Sequence, residues 1–199
     1  ADHTMRNPLS KLVTELEPSG IRRFFDVAST MDNVISLGVG EPDFDTPWHI
    51  REEGIYSLEK GRTYYTSNAG LLPLRQEISR YLQERFELPY EANEILVTVG
   101  GSEAIDICMR AMLDPGDEVI LPEPCFVSYL PCVRMAGGTP VHVSLEEKDE
   151  FKLTGKKLRE AITDKTKLLV LPFPNNPTGA IMTAQELQVV ADICKEHDI

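Results

Sequence analysis

Ile95-Leu96-Val97-Thr98-Val99 runs directly into Gly100-Gly101-Ser102-Glu103, after which Ile105, Cys108, Met109 and Met112 recur at helical spacing. A short apolar run, a glycine turn and an amphipathic helix read as strand, turn and helix. The order repeats downstream. Glu118-Val119-Ile120-Leu121 precedes a helical stretch from Val127 to Met135, and the alternating Val141, Val143 and Leu145 precede a helix from Thr154 to Ile162. Leu168 to Phe173 then leads through a proline-rich loop into a helix opened by Thr183 and Glu186, the two ends of a capping box. Runs apolar on both faces and separated by helices predict an α/β fold, a mostly parallel sheet with helices on both faces.

Working outward, Thr46-Pro47 reads as N-cap and first residue of a helix that reaches Lys60, with Gly61 suited to the left-handed position that ends it. A second helix is expected from Pro73, where Leu74, Ile78, Tyr81 and Leu82 share a face. Residues 1–46 therefore read as an N-terminal arm and 47–199 as the sheet-bearing part. The last helix puts Leu187, Val190, Ala191 and Cys194 on one side, and the rhythm predicts that another strand begins at Ile199. On this reading the sequence is the N-terminal part of a larger, here incomplete, sheet.

Composition narrows the function classes. The 199 residues carry 20 Lys+Arg against 32 Asp+Glu, a formal charge of -12 spread along the chain, which argues against a nucleic-acid partner. No apolar run approaches the ~20 residues of a membrane span, and the start ADHTMRNPLS has no signal-peptide core, so a cytoplasmic location without membrane contact is expected. Cys108, Cys125, Cys132 and Cys194 form no C-x-x-C pair or metal-ligand spacing and read as reduced structural thiols. No metal site is expected.

Gly100-Gly101-Ser102-Glu103 at a strand-to-helix turn reads equally as an anion site, where free amides and the helix dipole meet a phosphate, or as a tight turn. It is neither a dinucleotide fingerprint nor a P-loop, because G-x-G-x-x-G and Gly-Lys-Ser/Thr are both missing. Three further segments bear on the choice: Ile35-Ser36-Leu37-Gly38-Val39-Gly40-Glu41-Pro42-Asp43-Phe44, Tyr64-Tyr65-Thr66-Ser67-Asn68-Ala69-Gly70, and Pro174-Asn175-Asn176-Pro177-Thr178-Gly179. With the glycine turn between the second and third, they closely resemble the class I/II aminotransferases of pyridoxal-phosphate fold type I, in the branch with bacterial aspartate aminotransferases. The resemblance covers nearly the whole chain.

The resemblance implies pyridoxal 5'-phosphate as cofactor and an amino acid and a 2-oxo acid as substrates. It places the cofactor phosphate on the Gly101 and Ser102 amides, stacks Phe126 on the pyridine ring, and directs the Asn176 amide to the phenolic oxygen. Tyr65 aligns with a tyrosine that reaches the phosphate of the other subunit, which implies a homodimer. Gly40 falls where backbone meets the substrate carboxylate, and Ile21 where an N-terminal segment covers the substrate. Sharp turns beside the cofactor predict cis peptides at Asn176-Pro177 and Glu123-Pro124.

The resemblance also implies what these residues lack. The Schiff-base lysine, the aspartate on the pyridine nitrogen and the carboxylate-clamping arginine lie downstream of the Asn-Pro-Thr-Gly loop in the family, whereas the Ser-Lys pair here, Ser10-Lys11, stands far upstream of that loop. No catalytic residue is assigned, and the 199 residues alone are expected to be inactive. The family's sheet also separates Ile95–Val99 from the next three strands, so open edges are expected to be paired with a second chain supplying the other half, closed by rearrangement, or buried by dimerisation. Two competing functions share the fold: a C–S lyase acting on a cysteine-derived amino acid, and a non-catalytic ligand-binding module.

Overall fold

Three parallel strands are the centre of the computed structural model, which describes residues 6–16, 24, 27, 30–35, 38, 40 and 42–199. In chain order, helices α1 (Lys11–Glu15), α2 (Trp48–Glu59), α3 (Leu72–Phe86) and α4 (Gly100–Met112) precede strand β1 (Glu118–Glu123). Helix α5 (Tyr129–Met135), strand β2 (Thr139–Ser144), helix α6 (Gly155–Ala161), strand β3 (Thr166–Leu169) and helix α7 (Ala184–His197) follow. The chain divides into two compact units, Ala1–Pro18 with Val99–Ile199, and Ser19–Thr98.

In the first unit the strand order is β2-β1-β3 and both pairings are parallel, with α5 and α6 as the crossovers. β1 is central, and successive side chains of a strand point to opposite faces. Val119 and Leu121 pack with Met109 and Leu113 of the α4 segment and Val133 of α5. Ile120 packs on the other face with Leu158 of α6 and Val190 and Ile193 of α7. Val119, Ile120 and Leu121 are fully buried, each contributing about 1.5–3 kcal/mol of transfer free energy. The expected α/β sheet with helices on both faces is therefore present.

Several expected elements differ in detail. Ile95–Val99 is not a strand: Ile95 is extended and the Val97 N–H donates to the Ala69 carbonyl at 3.0 Å. Among the described residues no strand lies beside it, and an apolar run becomes a strand only when a neighbour completes the ladder. β3 ends at Leu169 rather than Phe173, although the Val170 N–H still reaches the Ile120 carbonyl at 3.0 Å. On α4 the buried face is Met109 with Leu113 beyond it, while Cys108 and Met112 are exposed, because α5 and β1 meet the helix one position round from the predicted stripe.

The Thr183 capping box forms as expected, with Thr183 Oγ1 accepting from the Glu186 N–H and the Glu186 carboxylate accepting from the Thr183 N–H at 2.7 Å. On α7, Val190 and Ile193 enter the core, whereas Leu187, Ala191 and Cys194 line an apolar groove with Leu168 and Leu171. The Ile199 N–H caps α7 on the Cys194 carbonyl at 2.9 Å, with Asp198 left-handed at φ 56°.

The Ser19–Thr98 unit has no buried residue on α2 or α3. Helix α2 is capped by Pro47 rather than Thr46, because the Pro47 carbonyl takes the Ile50 and Arg51 N–H groups. Helix α3 begins at Leu72, with Pro73 in its first turn. Arg75 fastens it, donating to the carbonyls of Gly70 at 3.2 Å and Ala92 at 2.8 Å. Gly70 is required by close approach, since a Cβ there would lie 2.8 Å from the Val97 side chain.

Candidate functional site

Three turns leave the sheet-bearing unit at one end. The first is the entry to α4, where Gly100 has φ +81°, a conformation that side chains resist. The Glu103 carboxylate accepts the Val99 N–H just outside the helix. Gly101 and Ser102 then occupy the second and third helical positions, whose amides have no intrahelical acceptor. A Cβ at Gly101 would meet nothing within 4 Å, so the side of the turn that a side chain would occupy is open.

The second turn follows β1. Glu123-Pro124 is cis, as expected, and the chain continues through Cys125 and Phe126 into α5. The half-buried Phe126 ring sits edge-on to Tyr129 at 5.8 Å between centroids. Burial pushes the Tyr129 hydroxyl above its ordinary value, with Cys125 adding to it, and burial and then Glu123 push the Cys125 thiol up. Both groups are thus neutral near pH 7 and bring no negative charge toward an anion. Ser128 Oγ lies 3.5 Å from Ser102 Oγ, which joins this turn to the α4 entry.

The third turn follows β3. Asn176-Pro177 is cis, as expected, and so is Phe173-Pro174, which the sequence reading did not include. Asn175 is buried, and its Nδ2 donates to the Pro124 carbonyl at 3.0 Å, tying the third turn to the second. Asn176 itself is exposed. Parallel sheets bind ligands outside the carboxyl ends of their strands, and the turns after β1 and β3 lie there with the amino end of α4 beside them.

Gly101, Ser102, Phe126 and Asn176 are therefore carried by turns that hydrogen bonds and side-chain contacts link. Tyr65 and Gly40 belong to the Ser19–Thr98 unit, where both are exposed, Tyr65 fully so at 107%. Ile21 lies outside the described residues. Asn175 and Ser128 were missed in the sequence. Each stands one or two residues from a chosen residue, Asn176 or Phe126, and hydroxyl and amide side chains at that spacing inside a turn were the available signal. Among the described residues no group of three or more His, Cys, Asp or Glu side chains could hold a metal, and no helix is long and apolar enough to cross a membrane.

Known proteins resemble this chain in sequence and fold. The sequence model described as aminotransferase class I and II matches residues 32–199. The chain belongs to that family. It is 54% identical to the protein YugH of Bacillus subtilis (strain 168), over 98% of this chain and 51% of that one. It is 44% identical to the aspartate aminotransferase of Pyrococcus abyssi, over 92% of this chain and 48% of the relative. Aspartate aminotransferase from Thermus thermophilus with maleate superposes with a TM-score of 0.91 at 38% identity, covering 98% of this chain and 52% of that one. The chain spans about half the length of the curated relatives it matches. Pyridoxal 5'-phosphate is the cofactor of class I and II aminotransferases, and the residues present fit it: two helix-entry amides on a turn with one open side, a half-buried aromatic ring and a carboxamide loop meet at one end of the sheet.

Proposed function

We propose that the protein transfers an amino group between an amino acid and a 2-oxo acid. Bound pyridoxal phosphate would supply the electron sink and the amino carrier. The Gly101 and Ser102 amides hold its phosphate, Phe126 stacks on its ring, and the Asn176 amide donates to its phenolic oxygen and helps keep that oxygen ionised. The observation that supports this best is the Asn175 to Pro124 hydrogen bond, which holds the ring-facing turns after β1 and β3 together.

Tyr65, Gly40 and Ile21 complete the reading. Tyr65 reaches the phosphate of a second copy in a homodimer, and its full exposure supports that role. Gly40 and Ile21 face the substrate. Residues 47–199 are the N-terminal part of the cofactor-binding large domain and residues 1–46 an arm. Residues 1–199 hold the cofactor without anchoring it, and by themselves do not catalyse transfer.

Assaying the full-length protein with 2-oxoglutarate and a panel of amino donors, and separately with cystathionine, tests the reaction class. Glutamate formation is expected. Release of a thiol product from cystathionine without amino transfer would overturn the proposal in favour of a lyase.

A further inference from the structure

Asn175 is the most deeply placed polar side chain among the described residues, 5% exposed, and three of its four polar groups are committed. Its N–H donates to the Ala180 carbonyl at 2.9 Å, and its carbonyl accepts from the Gly179 N–H at 2.8 Å. These bonds close the loop that carries Asn176. Its Nδ2 donates to the Pro124 carbonyl at 3.0 Å, in the turn that carries Phe126 two residues later. Its Oδ1 is buried and has no donor among the described residues.

The Pro124 carbonyl fixes which way the amide faces. Turned over, Oδ1 would confront that carbonyl acceptor to acceptor, and Nδ2 would be buried without an acceptor. A buried carboxamide with one atom unpartnered stabilises a fold poorly, so stability alone does not account for it, and each such group in a native protein calls for a specific explanation. The distance it controls separates the residue assigned to the face of one aromatic ligand from the residue assigned to that ligand's phenolic oxygen.

We propose that Asn175 is a positioning residue. Its carboxamide sets the separation between the Phe126 turn and the Asn176 turn, and so the gap that receives the cofactor ring. The inference rests on the proposed pyridoxal-phosphate site. None of the Asn175 hydrogen bonds goes directly to the phosphate turn at Gly101 and Ser102.

The full-length protein with Asn175→Asp, which is isosteric and opposes two acceptors, and with Asn175→Ala, which only removes the brace, tests this. Affinity for pyridoxal phosphate is expected to fall about tenfold in both, while affinity for inorganic phosphate stays within about twofold. In an Asn176→Ala background the same changes should cost little more, because a brace acting through Asn176 is not additive with its loss. Equal losses for the two ligands, additive losses, or unchanged pyridoxal-phosphate affinity would overturn the inference. Failure of both variants to fold would also overturn it, by making the residue structural. Wild-type protein that binds no pyridoxal phosphate would instead sink the proposed function itself.

Discussion

Replacing Gly101 with alanine should make the ligand-free protein more stable and its ligand binding weaker. Gly101 is in the first turn of α4, its φ is not left-handed, and a Cβ would meet nothing within 4 Å. Nothing in the chain asks for glycine. Alanine is favoured over glycine by about 1 kcal/mol in a helix interior, and about half of that is expected in the first turn. For a chain of this size about 0.5 kcal/mol corresponds to a melting temperature roughly 1–2 °C higher. The same methyl would stand beside the two amides assigned to the phosphate. Charge-assisted hydrogen bonds contribute about 1.5–3 kcal/mol each, so disturbing one should weaken pyridoxal-phosphate binding about tenfold. Thermal and urea melts in phosphate-free buffer, together with cofactor titration, read the two effects separately. Gly100→Ala is the control, since φ +81° makes any side chain there strained and should lower stability with or without ligand. A Gly101→Ala protein that melts lower, or binds the cofactor as wild type does, would refute the reasoning.

Three further outcomes follow from the packing and the charges. Ile120→Ala empties a fully buried position between β1 and the α6–α7 layer and should cost about 2–5 kcal/mol, measured as a lower urea midpoint. Thr183→Ala removes one half of the α7 capping box and should cost about 1 kcal/mol by the same measurement. Lys157, 2.6 Å away, and then Lys148 hold the Glu146 carboxyl at about 2 against an ordinary value of 4.5. Because the folded value is the lower one, the pair's contribution is present above pH 4.5 and is lost as pH falls toward 2. Glu146→Gln should therefore flatten the acid limb of the stability curve, and an unchanged acid limb would count against the pair.

What could be read in the sequence was whatever a local pattern determines. The unbroken apolar run Val119-Ile120-Leu121 gives a strand buried on two sides, and the Thr183-to-Glu186 spacing gives a cap; both are satisfied within a few residues or by any apolar neighbour. Ile95–Val99 has the same apolar composition, yet it is no strand, because a ladder is a property of two segments and no strand among the described residues lies beside it. The site followed the same division. Asn176 and Phe126 are expected at the site from motif resemblance, whereas the role proposed for Asn175 depends on a carbonyl 51 residues away. No window of sequence contains that contact.

That difference bears on how the site keeps its geometry. β1 is packed from both faces, so its carboxyl end at Glu123 has little freedom to shift, and the turn after it starts from a fixed point. β3 is held by β1 on one side only among the described residues, and its ladder already shifts register between Glu118 and Val119. The turn after β3 therefore leaves from a strand less constrained than β1. A hydrogen bond from that looser turn back to the fixed one transfers the precision of β1 to Asn176. The buried Asn175 amide makes that bond, and the two residues proposed to meet the cofactor ring, Phe126 and Asn176, thereby share one reference.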